Sequence, residues 1–371
     1  MYCKNCRAEV KIENSKFCLH CGVLLSESSE NSEAEDHAHK RLLSLDFFKG
    51  LTIILMVFVN SIAKFTYTPA WTKHAGDFGL TYVDLVAPFF VFMMSLNYKS
   101  SFRRRLEISD APKVYMKFIQ RYLIFLGLGL VLYIDLGPSR SIIFRWGTLQ
   151  VLGMSGLILL PLILLPAVVR LFIGFGGLVV HQFLLETGLK QIIYDGYEGG
   201  IFGSLSWASM LIISSVLAEG LYKYLNESKN DGRKTMTRYF LFGGILFTTM
   251  GIILNSFHLI NFNFVISRQH VTLSYVLISV GISSLVFYSL YYIIDILGKK
   301  HDLFIKDNFI SKLGRNSFFL FIIHILLLNI TIQILPADLH VILVFVLGFV
   351  SVFVIWLLGF FMYKGEIFVV V

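Results

Sequence analysis

The sequence predicts an all-α polytopic membrane protein of about 10 transmembrane helices, preceded by a small cysteine-rich module. Two observations carry the first part. The chain of 371 residues is 56% hydrophobic and only 15% charged, whereas soluble domains carry roughly 25% charged residues. Its apolar residues also come in runs long enough to span a bilayer, such as "LTIILMVFVNSIA" and "HVILVFVLGFVSVFVIWLLGFFM". The third observation is that the 4 cysteines, Cys3, Cys6, Cys18 and Cys21, all fall at the N-terminus.

Three regions follow in order. Residues 1–25 form the cysteine module. Residues 26–40, "SESSENSEAEDHAHK", are acidic, serine-rich and poor in apolar groups, and read as a disordered acidic linker. Residues 41–371 are the transmembrane domain. Its spans are expected at about 45–63, 80–98, 115–135, 147–166, 168–187, 205–225, 239–257, 271–296, 313–334 and 340–362. The fourth and fifth are separated only by "PAVVR", with Pro161 and Pro166 as the break.

Loop charge alternates along these spans. Lys99, Arg103, Arg104, Arg105 and Lys113 mark one loop. Lys223, Lys229, Arg233, Lys234 and Arg238 mark a second, and Lys299, Lys300, Lys306 and Lys312 a third. The loops between them are sparse in Lys and Arg. By the positive-inside rule both termini are expected in the cytoplasm. The net charge of +8 is accounted for in the same way. No basic stripe interleaved with aromatics lies outside the spans, so nucleic acid is not an expected partner. No cleavable signal peptide is read, because the first forty residues are polar. The expected location is a prokaryotic plasma membrane, with the lipid bilayer as first partner. A homo-oligomer stays open.

Cys3, Cys6, Cys18 and Cys21 form two C-x-x-C knuckles with eleven residues between them. Each knuckle aims two thiolates at one tetrahedral ion, so the pattern implies a structural Zn²⁺ in a short zinc ribbon. A site closed by four thiolates has no open position for chemistry. The ribbon is therefore expected to stabilise its own fold or to dock a protein partner.

The first span opens "RLLSLDFFKGLTIILMVFVNS". Arg41, Leu45, Asp46, Lys49 and Gly50 resemble an R-x-x-S-L-D-x-x-R-G opening shared by two groups of membrane acyltransferases. Asn60, in "MVFVN", is similar to the form seen in the heparan-α-glucosaminide N-acetyltransferase family and its microbial relatives. The stretch "KHAGDFGLTYVDLVAPFFVFMMS" resembles that family's K-H-A…G-L-T…D-L-V…P block, matching at Lys73, His74, Ala75, Gly79, Leu80, Thr81, Asp84, Leu85, Val86, Pro88 and Phe90. "RWGTLQVLG" (145–153), "TLSYVLISVGISSLVFYSLYYIID" (272–295) and "LGRNSFFLFIIH" (313–324) resemble later blocks of the family, in order. The sequence departs from it at Asp77-Phe78, where the family has Trp-Asn.

The resemblance implies acetyl transfer from acetyl-CoA to an amino sugar or glycan on the far side of the membrane. His74 would be the catalytic histidine and Asn60 the polar residue beside it. The residues suit that chemistry. An imidazole titrates near neutrality and serves as nucleophile or base. Asp84 suits a group that fixes the imidazole tautomer, or equally a structural ion pair with Lys73 or Arg145. Asn60 suits an oxyanion donor or a bridge between helices.

His324 lies mid-span, where a histidine is read as a donor contact or a buried hydrogen-bonding group. Arg145, Gln150, Arg268 and His270 sit near span ends and suit either a polar acceptor, coenzyme A phosphates, or interfacial anchoring. "LFIGFGG" (171–177) reads as close helix packing and not as a nucleotide loop, since no strand precedes it. Two other classes stand beside the acyltransferase: a small-solute or lipid-linked sugar transporter or flippase, and a catalytically degenerate membrane sensor. The sequence lacks the broken helices in matching halves that transporters often carry.

Overall fold

In bilayer, backbone N–H and C=O groups must be satisfied within the segment, so long apolar runs become helices. The computed structural model describes residues 42–136, 142–187, 189–226, 229–259, 262–298, 309–314 and 316–367. All ten expected spans contain a helix. These are α1 (Leu43–Ala63), α2 (Val86–Leu106), α3 (Ala111–Leu132), α4 (Thr148–Leu159) and α5 (Ala167–Leu184). After the short α6 (Lys190–Asp195) come α7 (Gly200–Leu217), α8 (Glu219–Asn226), α9 (Lys229–Met236), α10 (Gly243–Ser256) and α11 (Leu273–Leu290). The last are α12 (Phe309–Gly314), α13 (Ser317–Ile334) and α14 (Val341–Lys364). Two antiparallel ladders cap the bundle: β1 (Ile134–Leu136) with β2 (Ile142–Phe144), and β3 (His258–Leu259) with β4 (Phe262–Asn263).

Among the described residues, 8 helices are long and apolar enough to cross a membrane. The chain is an integral membrane protein. α2 and α4 are the two expected spans outside that set. The second half of α2 reads "LNYKSSFRRRL", and its apolar first half is buried among other helices rather than turned to lipid. α4 has 12 residues before a tighter turn at Leu160–Leu162 breaks it at Pro161. "PAVVR" is not the loop expected between the two spans: Arg170 lies inside α5, wholly buried, paired with Glu219 and donating to Ser215 Oγ.

α1 is the central helix. It packs against α2, α11, α12, α13 and α14. Its first turn is held by Asp295, whose carboxylate accepts from Leu43 N at 3.2 Å and Ser44 N at 3.0 Å. That places a negative charge against the positive end of the helix dipole. α3 with α4, α5 with α7, and α10 with α11 form the other tight pairs. Small residues let them approach, as sequence reading expected for "LFIGFGG": Gly174 faces Ile213 and Gly177 faces Ser209 of α7. α10 and α11 meet at Gly251 and Gly281, where an added methyl would stand 2.9 Å from Ser274 O and 2.7 Å from Gly244 O respectively. The cysteine module, with Cys3, Cys6, Cys18 and Cys21, lies outside the described residues, as does the linker. Among the described residues no group of three or more His, Cys, Asp or Glu is placed to hold a metal ion.

Candidate active site

The loop between α1 and α2 has a defined local structure. A turn over Ala70–Thr72 leads to Lys73, and a second over Tyr82–Leu85 enters α2. Asp84 therefore precedes α2, two residues before Val86, rather than lying one turn inside it as expected. Thr81 caps the second turn: its N–H donates to Asp84 Oδ2 at 2.7 Å, and its hydroxyl lies 3.0 Å from the same oxygen. Ala75 N donates to that oxygen at 3.2 Å. The other oxygen, Oδ1, lies 2.8 Å from His74 Nδ1.

An ionised carboxylate only accepts, so the proton of this contact sits on Nδ1 and the lone pair of His74 is on Nε2. Asp84 is completely buried while the His74 side chain is 34% exposed. The result is an anchored, partly exposed imidazole whose second nitrogen is not engaged by Asp84. Burial pushes the Asp84 carboxyl up, but the hydrogen bonds from His74, Thr81 and Ala75 outweigh it, and its pKa falls below the ordinary value.

A second loop, between β4 and α11, supports the first. Gly79 N donates to Ile266 O at 2.8 Å, and Gly79 has φ +114, a conformation open to glycine. Tyr275 OH donates to the backbone oxygen of Asp84 at 2.7 Å. The Phe78 ring lies 5.9 Å from that of His270. His270 is buried, 2.9 Å from Ser267 Oγ through Nδ1, and stacked on Tyr194 at 3.6 Å. Arg268 forms an ion pair with Glu198, which is itself buried.

The remaining residues singled out in the sequence separate into structural and candidate roles. Asn60 Nδ2 lies 3.1 Å from Nε2 of His324. His324 Nδ1 donates to Phe321 O at 2.6 Å, which leaves Nε2 to accept from Asn60. His324 also lines a groove of about 150 Å³ with Val57, Ser61, Thr331 and Ser351. Gln150 is wholly buried and ties the start of α4: its Oε1 accepts from Gly147 N, and its Nε2 donates to Arg145 O. Both ends of the amide are thus engaged with backbone, and each keeps one further hydrogen-bonding position. Arg145 is exposed at the same turn. Sequence reading passed over Glu198, whose only signal is a turn-like "YEGG" after a short helix. It also gave no role to Tyr275, inside the matched "LSYVL" block.

Residues 41–134, which hold both members of the His74–Asp84 pair, match the family model described as "Domain of unknown function (DUF5009)". A stretch of 55 residues is 53% identical to heparan-alpha-glucosaminide N-acetyltransferase from Homo sapiens, covering 15% of this chain and 8% of that protein. A longer stretch of 129 residues is 33% identical to the protein of the same name from Mus musculus, covering 33% of this chain and 19% of the relative. The matched stretches span less than a fifth of either relative's length.

Proposed function

We propose that this protein is a membrane N-acetyltransferase that moves an acetyl or short acyl group from acyl-CoA to an amino sugar or related glycan across the bilayer. The observation that carries this reading is the His74–Asp84 contact at 2.8 Å, with Nε2 directed away from the carboxylate. The likeness to N-acetyltransferases supports the reaction class.

His74 Nε2 attacks the thioester carbonyl, the C–S bond breaks, and coenzyme A leaves as the thiolate. The acetyl group then sits on an imidazolium that Asp84 stabilises through Nδ1–H. The amine attacks that carbonyl carbon, the C–N bond to His74 breaks, and the amine proton passes to the thiolate through solvent. The products are the acetamide and coenzyme A. In direct transfer the same nitrogen removes the amine proton while the amine attacks the thioester. Both routes place His74 at the reacting atoms and Asp84 behind it. His324 is assigned to the acyl-donor path from the groove it lines, with Asn60 as its hydrogen-bond partner.

The topology that fits is one with the basic loops in a prokaryotic cytoplasm, where acyl-CoA is made. A zinc ribbon formed by Cys3, Cys6, Cys18 and Cys21 would lie on that side, available to a protein partner. The test uses purified protein in liposomes with labelled acetyl-CoA, wild type beside His74→Ala, with glucosamine added or withheld. Label on the amine that requires His74 is expected. Full transfer by His74→Ala overturns the proposal.

A further inference from the structure

The end of the bundle that carries His74 also carries unusual backbone. Non-glycine residues with positive φ among the described residues are Glu198 (φ 55), Val271 (φ 51) and Glu366 (φ 55). The first two belong to adjoining turns: Val271 Cγ2 is 3.4 Å from where a Cβ on Gly199, the residue after Glu198, would stand. A β-branched residue at positive φ is costly, and so is glutamate there. The strain is held in place by neighbours. Trp207 Nε1 donates to Glu198 O at 3.3 Å, and Ser206 Oγ donates to Val271 O at 2.7 Å. Glycine would fit position 198 without strain, so the backbone does not account for a glutamate there.

The side chain points to a reason. Glu198 is 3% exposed and bonds Arg268 through Oε1. Its Oε2 and the Nε of Arg268 are buried without a hydrogen-bond partner. Orphaned polar atoms on a buried ion pair cost free energy unless something satisfies them. Arg268 is in electrostatic reach of both Glu198 and Asp84. The Asp84 oxygens are already taken by His74, Ala75 and Thr81, whereas Glu198 Oε2 has no such partner. Tyr275 ties the two halves, since its hydroxyl holds the Asp84 backbone and it lies in reach of both members of the pair.

We propose that Glu198 is the specificity-determining residue for the acceptor: its free Oε2, beside the partly exposed Arg268, takes the charged amine of an amino sugar and discriminates against the hydroxyl sugar of the same shape. Arg268 pairs with the carboxylate and offers N–H groups to the acceptor's oxygens. This assignment rests on the transferase reading for the direction of the chemistry, but the selectivity itself is a binding property.

The experiment compares wild type, Glu198→Gln and Glu198→Asp as full-length protein in detergent. In the transfer assay Glu198→Gln is expected to raise the KM for glucosamine by about tenfold or more while the KM for acetyl-CoA stays within about twofold, with Glu198→Asp recovering part of the loss. An unchanged glucosamine KM, or an equal rise in both, overturns the proposal. Calorimetric titration of the same proteins with glucosamine and with glucose does not depend on turnover. If wild type transfers nothing to glucosamine, the transferase reading has failed and the titration still decides. Preference for glucosamine that Glu198→Gln abolishes sustains the assignment; equal affinity, or binding of neither sugar, overturns it.

Discussion

Asn60 and His324, separated by 264 positions in the sequence, meet at 3.1 Å. One is near the end of α1 and the other within α13, so the hydrogen bond fastens two helices from opposite ends of the chain. Contacts of this kind between membrane helices are worth about 0.6 kcal/mol on average and up to roughly 1.7. Asn60→Ala and His324→Ala should each lower the thermal midpoint in detergent. The double variant should lose less than the sum of the two, because either change breaks the same bond. Additive losses would mean the two side chains act separately.

His74→Ala should reduce transfer by roughly 10²–10⁴-fold, the range expected for loss of a positioned proton-transfer group. Asp84→Asn should also reduce it, with acetyl-CoA binding retained. An asparagine at position 84 that turns its NH₂ to His74 selects the tautomer with the proton on Nε2, which removes the reactive lone pair, and one that turns its NH₂ to the N–H groups of Ala75 and Thr81 sets donor against donor. The kcat of the variant, with its KM for acetyl-CoA, checks this.

Stability should respond to acid through Asp84. Its carboxyl is buried, which alone would raise its pKa, but the bonds from His74, Thr81 and Ala75 bring the value below the ordinary 3.8. The unfolded chain therefore binds the proton first as the pH falls. The contribution of Asp84 is present in full above the ordinary value and disappears as pH drops through the lowered native one. The thermal midpoint of wild type minus that of Asp84→Asn should be constant from neutrality to about pH 5 and shrink below about pH 4. A difference that shrinks already between pH 7 and 5 would assign the effect to another group.

Glycines in the helices should divide by what surrounds them. Gly281→Ala places a methyl against Thr248 and the backbone of Gly244, which cannot yield without parting α10 from α11. A loss of about 1–3 kcal/mol is expected from such overpacking. Gly176, in α5, has nothing within 4 Å of an added methyl. Gly176→Ala should be neutral or should stabilise by up to roughly 1 kcal/mol through helix propensity. Denaturation midpoints of the two variants, measured side by side, test the contrast.

Helices were legible because the bilayer leaves the backbone no alternative, and apolar length alone reports them. α2 and α4 blurred that signal for different reasons. The first half of α2 is buried by protein, so its other half can afford polar residues, whereas Pro161 cuts α4 short. The His74–Asp84 contact was legible because its members lie ten residues apart in one loop and local turns bring them together. The Glu198–Arg268 pair was not: its partners sit 70 residues apart, and only the packing of α7 against α11 joins them.

The placement of α1 at the centre has a consequence for biogenesis. Its lateral neighbours include α12, α13 and α14, all emerging from the ribosome some 250 or more residues after it. The helix made first therefore waits for those made last, and Asn60 meets its partner only when nearly the whole chain is in the membrane. α14, with a mean hydropathy of 3.1 and only 17% of its length covered by protein, is suited to insert on its own and close the bundle from the lipid side. Maturation of this protein is thus a late, long-range event, and the loop that carries His74 gains its contacts from Ala337 and Phe345 only at its end.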